Sequence, residues 1–127
     1  MRCAISQPTF LPWLGWFDIL DQADQMVMLD TVQFDKRSWQ QRNRIRSTDG
    51  LLMVSVPVLT RGRSTQSVRE VEIADESFGN KFLRTVQANY AKAPYFEPVF
   101  EQLADLVPSL MAKGYLADLN EGLIALI

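Results

Sequence analysis

The amino-acid sequence predicts an α/β fold: an N-terminal parallel βαβ unit, a β-hairpin extension and C-terminal helices. Three features carry this expectation. Two short apolar runs, Arg2–Ser6 and Gln25–Leu29, flank a helical pattern. Asp49-Gly50 lies between two strand-like stretches, and apolar residues recur at helical spacing through the C-terminal half. With 127 residues, 47% hydrophobic and 22% charged, the chain has the size and composition of one folded domain.

Arg2–Ser6 has the length of a short buried strand, and Gln7-Pro8 ends it because proline cannot donate to a sheet ladder. Pro12 suits the first helical position, after which Trp13, Leu14, Trp16, Phe17 and Leu20 mark a helix to about Asp21. Gln25–Leu29 is too short for a helix and reads as a second strand; a crossover helix then makes parallel pairing the expected topology. Asn43–Ser47 and Leu51–Val58 form the hairpin. Arg61–Ser67 reads as an exposed, mobile loop leading into a strand at Val68–Ile73.

Ser77 is placed to cap a helix bearing Phe78, Phe82, Val86 and Tyr90, with Leu83 widening its stripe. Ala93-Pro94 stops that helix. Pro98 opens the next one, which Pro108 is expected to kink or end. After the break at Lys113-Gly114, a last amphipathic helix starts near Asp118 or Asn120. Its apolar end, Leu119–Ile127, is expected to need covering by a C-terminal domain of a longer protein or by a second copy.

The N-terminus lacks the apolar core of a signal peptide, and no run approaches the ~18 residues that span a bilayer, so a cytoplasmic protein without a membrane span is expected. The lone Cys3 makes no internal disulfide. Inside a buried strand it reads as packing rather than as a nucleophile. Absence of histidine excludes His-dependent triads and Cys/His zinc sites. No metal site is expected, and the residues assign no cofactor.

The formal charge of −2 hides an asymmetry: eight of thirteen basic residues lie between Asp35 and Arg69, a stretch of net +6 against −8 elsewhere. Seven of the eight are arginines, whose planar fork suits phosphate or carboxylate. Nucleic-acid binding through this stretch, with Trp39 stacking on a base, is disfavoured by a pI of about 5.1. A phosphorylated small molecule or sugar is the expected partner.

Two segments at the carboxyl ends of the predicted strands, where open α/β sheets place ligands, carry the candidate site. Gln7–Gly15 offers Gln7 and Thr9 as polar contacts. In Asp30–Arg46, Asp30 is the candidate base, Gln33 and Asn43 read polar groups, and Lys36, Arg42 and Arg44 neutralise phosphate. If Arg42–Arg46 is extended, its three arginines share one face and Asn43 and Ile45 the other.

These segments resemble the WbqC-like family. Gln7, Pro8, Pro12 and Gly15 match its opening loop, and Asp30, Gln33, Phe34, Lys36, Trp39, Arg42, Asn43, Arg44 and Ile45 match its second block. Asn89–Phe96 is similar to a third segment, after the central helix. The resemblance implies a role in surface polysaccharide (O-antigen) biosynthesis, as a group-transfer enzyme acting on a nucleotide- or carrier-linked sugar. It also implies that this single domain is the N-terminal part of a longer protein. A non-catalytic module for a phosphorylated small molecule is the alternative. Many members carry Lys-His early in the central helix, where this chain has Lys81-Phe82. The layout is also similar to that of nucleotidylyltransferases, whose signature histidines are missing here.

Overall fold

Two strands joined by a helix can return to the same end of a sheet only in parallel, and β1 (Cys3–Ser6) and β2 (Gln25–Met28) do so around α1 (Leu14–Gln22), with Cys3 opposite Gln25 and Ser6 opposite Met28. The Leu29 N–H extends the ladder by donating to the Ser6 carbonyl at 2.8 Å. The computed structural model describes residues Met1–Ile127. Its remaining elements are β3 (Arg42–Ser47), β4 (Gly50–Ser55), α2 (Phe78–Tyr90), α3 (Phe96–Lys113) and α4 (Leu116–Leu126).

β1 is not the buried strand its apolarity predicts. Ala4, Ser6, Met26 and Met28 are half-buried, whereas Cys3, Ile5 and Val27 on the opposite face are exposed. A two-stranded sheet has few neighbours, and only Trp16 of α1 is buried, with its indole N–H donating to Ser6 Oγ at 2.9 Å. Helix α1 begins at Leu14 rather than Pro12, with extended Trp13 before it. Gly15 allows this start: a β-carbon there would overlap the Trp13 ring.

β3 and β4 pair antiparallel from Arg42 opposite Ser55 to Ser47 opposite Gly50, so the hairpin turns on Thr48-Asp49 and Gly50 opens the second strand. Val68–Ile73 is not a strand. Val68–Glu70 forms a 3₁₀ turn, followed by isolated bridges from Glu72 to Tyr115 and from Ile73 to Val58. Val68 and Val71 are both fully buried, a three-residue spacing that a turn satisfies and a strand would split between two faces.

Nor is Arg61–Ser67 loosely attached. Arg63 pairs with Glu72, buried Gln66 donates to the Leu59 carbonyl at 3.1 Å, and the Phe34 N–H donates to the Gln66 carbonyl at 2.9 Å.

Ser77 makes no side-chain cap on α2. Instead Asp75 accepts from the Ser77 N–H, the Ser77 hydroxyl and Lys81 Nζ. Pro108 does not end α3, which runs on to Lys113; Pro108 is exposed, so the carbonyl that lost its N–H donor lies on a solvent-facing side of the helix. Helix α4 starts at Leu116, earlier than predicted, because Gly114 ends α3 and extended Tyr115 opens the next helix directly. The predicted apolar patch at its end is mostly filled from within the chain. Leu119, Leu123 and Ile124 are buried, leaving Ile127 exposed.

The core unites Phe10 and Phe34 from the two candidate loops with Val54 and Val56, Phe78 and Phe82, Val107 and Leu110, and Leu116, Leu119 and Leu123. Phe10 packs edge-on against both Phe78 and Phe82. Phe82 is therefore core. No helix is long and apolar enough to cross a membrane.

Candidate functional site

Parallel pairing of β1 and β2 delivers Gln7 and Asp30 to the same sheet edge, since each strand has just ended there. The chain that follows is tied together by amides. The Phe10 N–H donates to the Trp39 carbonyl at 2.9 Å. Gln40, itself buried, donates through Nε2 to Gln7 Oε1 and accepts from the Asp35 N–H at 3.1 Å. Asn43 Nδ2 donates to the carbonyls of Phe10 (3.3 Å) and Leu11 (2.7 Å). Leu11 has φ +48°, a left-handed backbone that costs a non-glycine residue about 1 kcal/mol or more. The Asn43 bond to its carbonyl helps hold it.

Asn120, from the distant α4, completes the brace. It is fully buried and donates through Nδ2 to the Gln40 carbonyl at 2.8 Å and the Pro8 carbonyl at 3.4 Å, while its Oδ1 has no partner. One side chain thus touches both loops, and a buried amide is well matched to two buried carbonyls.

Between the loops lies a cavity of about 300 Å³, with Ser6, Gln7 and Thr9 on one wall and Asp35, Ser38, Trp39 and Gln40 on the other. Of the predicted site residues it gathers Gln7 and Thr9. Lys36, Arg42 and Arg44 are not on its walls. Lys36 is exposed, Arg42 half-buried in β3, and exposed Arg44 lays its guanidinium over the Trp39 ring, 5.6 Å from the centroid. The chain's ion pairs are Arg63–Glu72 and Lys81–Asp75, so no carboxylate engages these three cations. Gln33 is turned towards the Ser64 carbonyl, which its Nε2 meets at 3.2 Å.

Asp30 also lies off the cavity. Its carbonyl accepts from the Arg69 N–H at 2.8 Å, and its charge reaches Glu121 on α4. Burial first, then the charges of Asp30 and Asp118, push the Glu121 carboxyl up from its ordinary value. The sequence reading missed Glu121, Gln40 and Asn120. For Asn120 a signal existed: an amide in the apolar stripe of Leu116, Leu123 and Ile124 demands a buried partner.

The model of the WbqC-like protein family matches residues 7–127, which include both loops and Asn89–Phe96. The uncharacterized protein Rv1507c of Mycobacterium tuberculosis is 34% identical over 105 residues, covering 83% of this chain and 46% of that protein. The chain therefore spans about half the length of this relative. No solved structure matches. A family match across nearly the whole chain, over loops that the fold locks into one unit, establishes that the chain belongs to the WbqC-like protein family.

Proposed function

We propose that this domain supplies the ligand-binding face of a cytoplasmic group-transfer enzyme that acts on a nucleotide- or carrier-linked sugar in surface polysaccharide biosynthesis, such as that of O-antigen. The observation that carries this reading is the amide-braced junction of Gln7–Gly15 with Asp30–Arg46, beside three cations that no carboxylate neutralises. In this reading Lys36, Arg42 and Arg44 hold phosphate, Gln7 and Thr9 contact polar groups of the ligand, and Gln33 and Asn43 contribute through the loops they fasten. Asp30 is the base. Glu121 on α4, whose carboxyl is raised first by burial and then by the charge of Asp30, is a further acidic group outside the cavity.

A non-catalytic module for a phosphorylated small molecule is the second reading, favoured by the position of Asp30 off the cavity wall. Binding of a nucleotide-sugar panel to the chain and to Arg44→Ala tests the shared part. Loss of one charge-assisted contact costs about 1.5–3 kcal/mol, roughly ten- to a hundredfold in affinity. Arg61→Ala, on the exposed loop, is the control, and equal losses in both variants would mean a diffuse surface field. Asp30→Asn separates the two readings: an enzyme keeps binding but loses turnover, and a module has no turnover to lose.

A further inference from the structure

We infer that the cavity between the two loops takes a neutral, polyhydroxylated ring, and that the anionic part of the same ligand lies outside it, against Arg44. This rests on the functional reading above and assigns the two ends of such a ligand to different surfaces.

The direction of the hydrogen bonds decides the matter. The Thr9 hydroxyl donates to the Gln7 carbonyl at 3.2 Å, the Ser38 hydroxyl to the Asp35 carbonyl at 2.7 Å and the Ser6 hydroxyl to the Gln7 carbonyl at 3.3 Å. All three spend their protons within the chain; Ser6 Oγ also accepts from the Trp16 indole N–H and Ser38 Oγ from the Gln40 N–H at 3.2 Å, so each of these keeps one lone pair and Thr9 keeps two. The Asp35 carboxylate, exposed and in no ion pair, can only accept. Gln7 Oε1 is occupied by Gln40, which leaves Gln7 Nε2 as a free donor.

A wall with many acceptors and one free amide donor suits a ligand rich in O–H groups. It repels phosphate, whose oxygens accept and carry negative charge. No lysine or arginine lines the cavity to reverse that preference. Half-exposed Trp39 adds a flat apolar surface for the C–H face of a ring. The volume of about 300 Å³ is at the small end for ligand pockets, enough for one ring. Arg44 stands over the same indole, so a phosphate leaving the ring would meet a cation at once.

The test is a titration of the ¹⁵N-labelled chain, following the Trp39 indole N–H and the Gln7 side-chain amide. The probes are a panel of methyl hexosides, inorganic pyrophosphate and uridine-diphosphate hexoses. A methyl hexoside should shift both reporters, at an affinity insensitive to salt and to Arg44→Ala and weakened about tenfold by Asp35→Asn. Pyrophosphate should leave the Gln7 amide in place, and its binding should weaken about ten- to a hundredfold in Arg44→Ala. Trp39→Phe should retain hexoside binding where Trp39→Ala loses it.

Pyrophosphate shifting the Gln7 amide, or hexosides shifting neither reporter, overturns the inference. If the nucleotide sugars still bind in that case, the functional reading survives alone. If no probe binds, both fail.

Discussion

Replacing Asn120 by aspartate exchanges a donor that reaches both loops from α4 for an acceptor, in a site with no exposed surface. An ionised carboxylate there would face the carbonyls of Gln40 and Pro8 without water. Full burial raises a carboxyl by up to 3–5 pKa units, and each unit corresponds to about 1.36 kcal/mol, so the variant should lose roughly 4 kcal/mol at pH 7 and up to about 7 kcal/mol above its folded pKa. A domain of 127 residues has a total stability of roughly 6–19 kcal/mol. Asn120→Asp should therefore lose a large part of that stability while remaining folded at neutral pH. The carboxyl is raised in the folded state, so the deficit is fully present above the folded pKa. It shrinks on acidification towards the unfolded value of about 3.9, where a protonated side chain can again donate to Gln40.

Asn120→Leu removes the donor and the unpaired Oδ1 together. It should cost a smaller, pH-independent amount of about 1–3 kcal/mol. Urea unfolding followed by circular dichroism from about pH 5 to about pH 8, with wild type as reference at each pH, reads both. An Asn120→Asp deficit that does not change with pH, or that is absent at the alkaline end, would falsify the brace.

Asp75→Asn tests the start of α2. The hydrogen bond from Lys81, followed by those from Ser77, holds the Asp75 carboxyl at about 2 instead of 3.8. Its contribution is present above 3.8 and lost as pH falls through about 2, so Tm curves of variant and wild type should differ at neutral pH and converge in acid. A gap that widens on acidification would count against this account. Phe10→Ala should cost about 3–5 kcal/mol in chemical denaturation, because a fully buried ring in the opening loop anchors that loop to Phe78 and Phe82. Leu14→Ala, on a residue 86% exposed, should stay within about 0.5 kcal/mol, and similar losses in both would mean that the loop is not fixed through Phe10.

The elements legible in the sequence are those whose signal is local. Helix-spaced Phe78, Phe82, Val86 and Tyr90 gave α2, and the length of the Ser6-to-Gln25 connection gave parallel pairing. Burial was not legible, because it depends on what the rest of the chain brings alongside. Ile5 and Val27 face solvent although their apolarity suggests a core, and Leu119 and Leu123 are buried although the sequence suggests an uncovered end. Val68–Ile73 shows the same limit from the other side. Two valines three apart fit a turn, but only contact with α4 makes that spacing count for more than the strand propensity of the stretch.

For the candidate site, the sequence located the two loops but not the chemistry of the space between them. A count of basic residues records a net +6 stretch without showing where each side chain goes, and the strand places Arg44 over Trp39 while Asn43 turns to the opening loop. The polarity of the cavity depends on a finer variable, the direction in which Ser6, Thr9 and Ser38 send their protons, and each sends its proton to a carbonyl fixed by the local turn. Composition cannot distinguish a hydroxyl that donates inward from one that donates to a ligand. The first kind favours a sugar hydroxyl and the second a phosphate, so the two ends of one ligand are told apart by geometry that becomes visible only once Asn120 and Gln40 have brought the loops together.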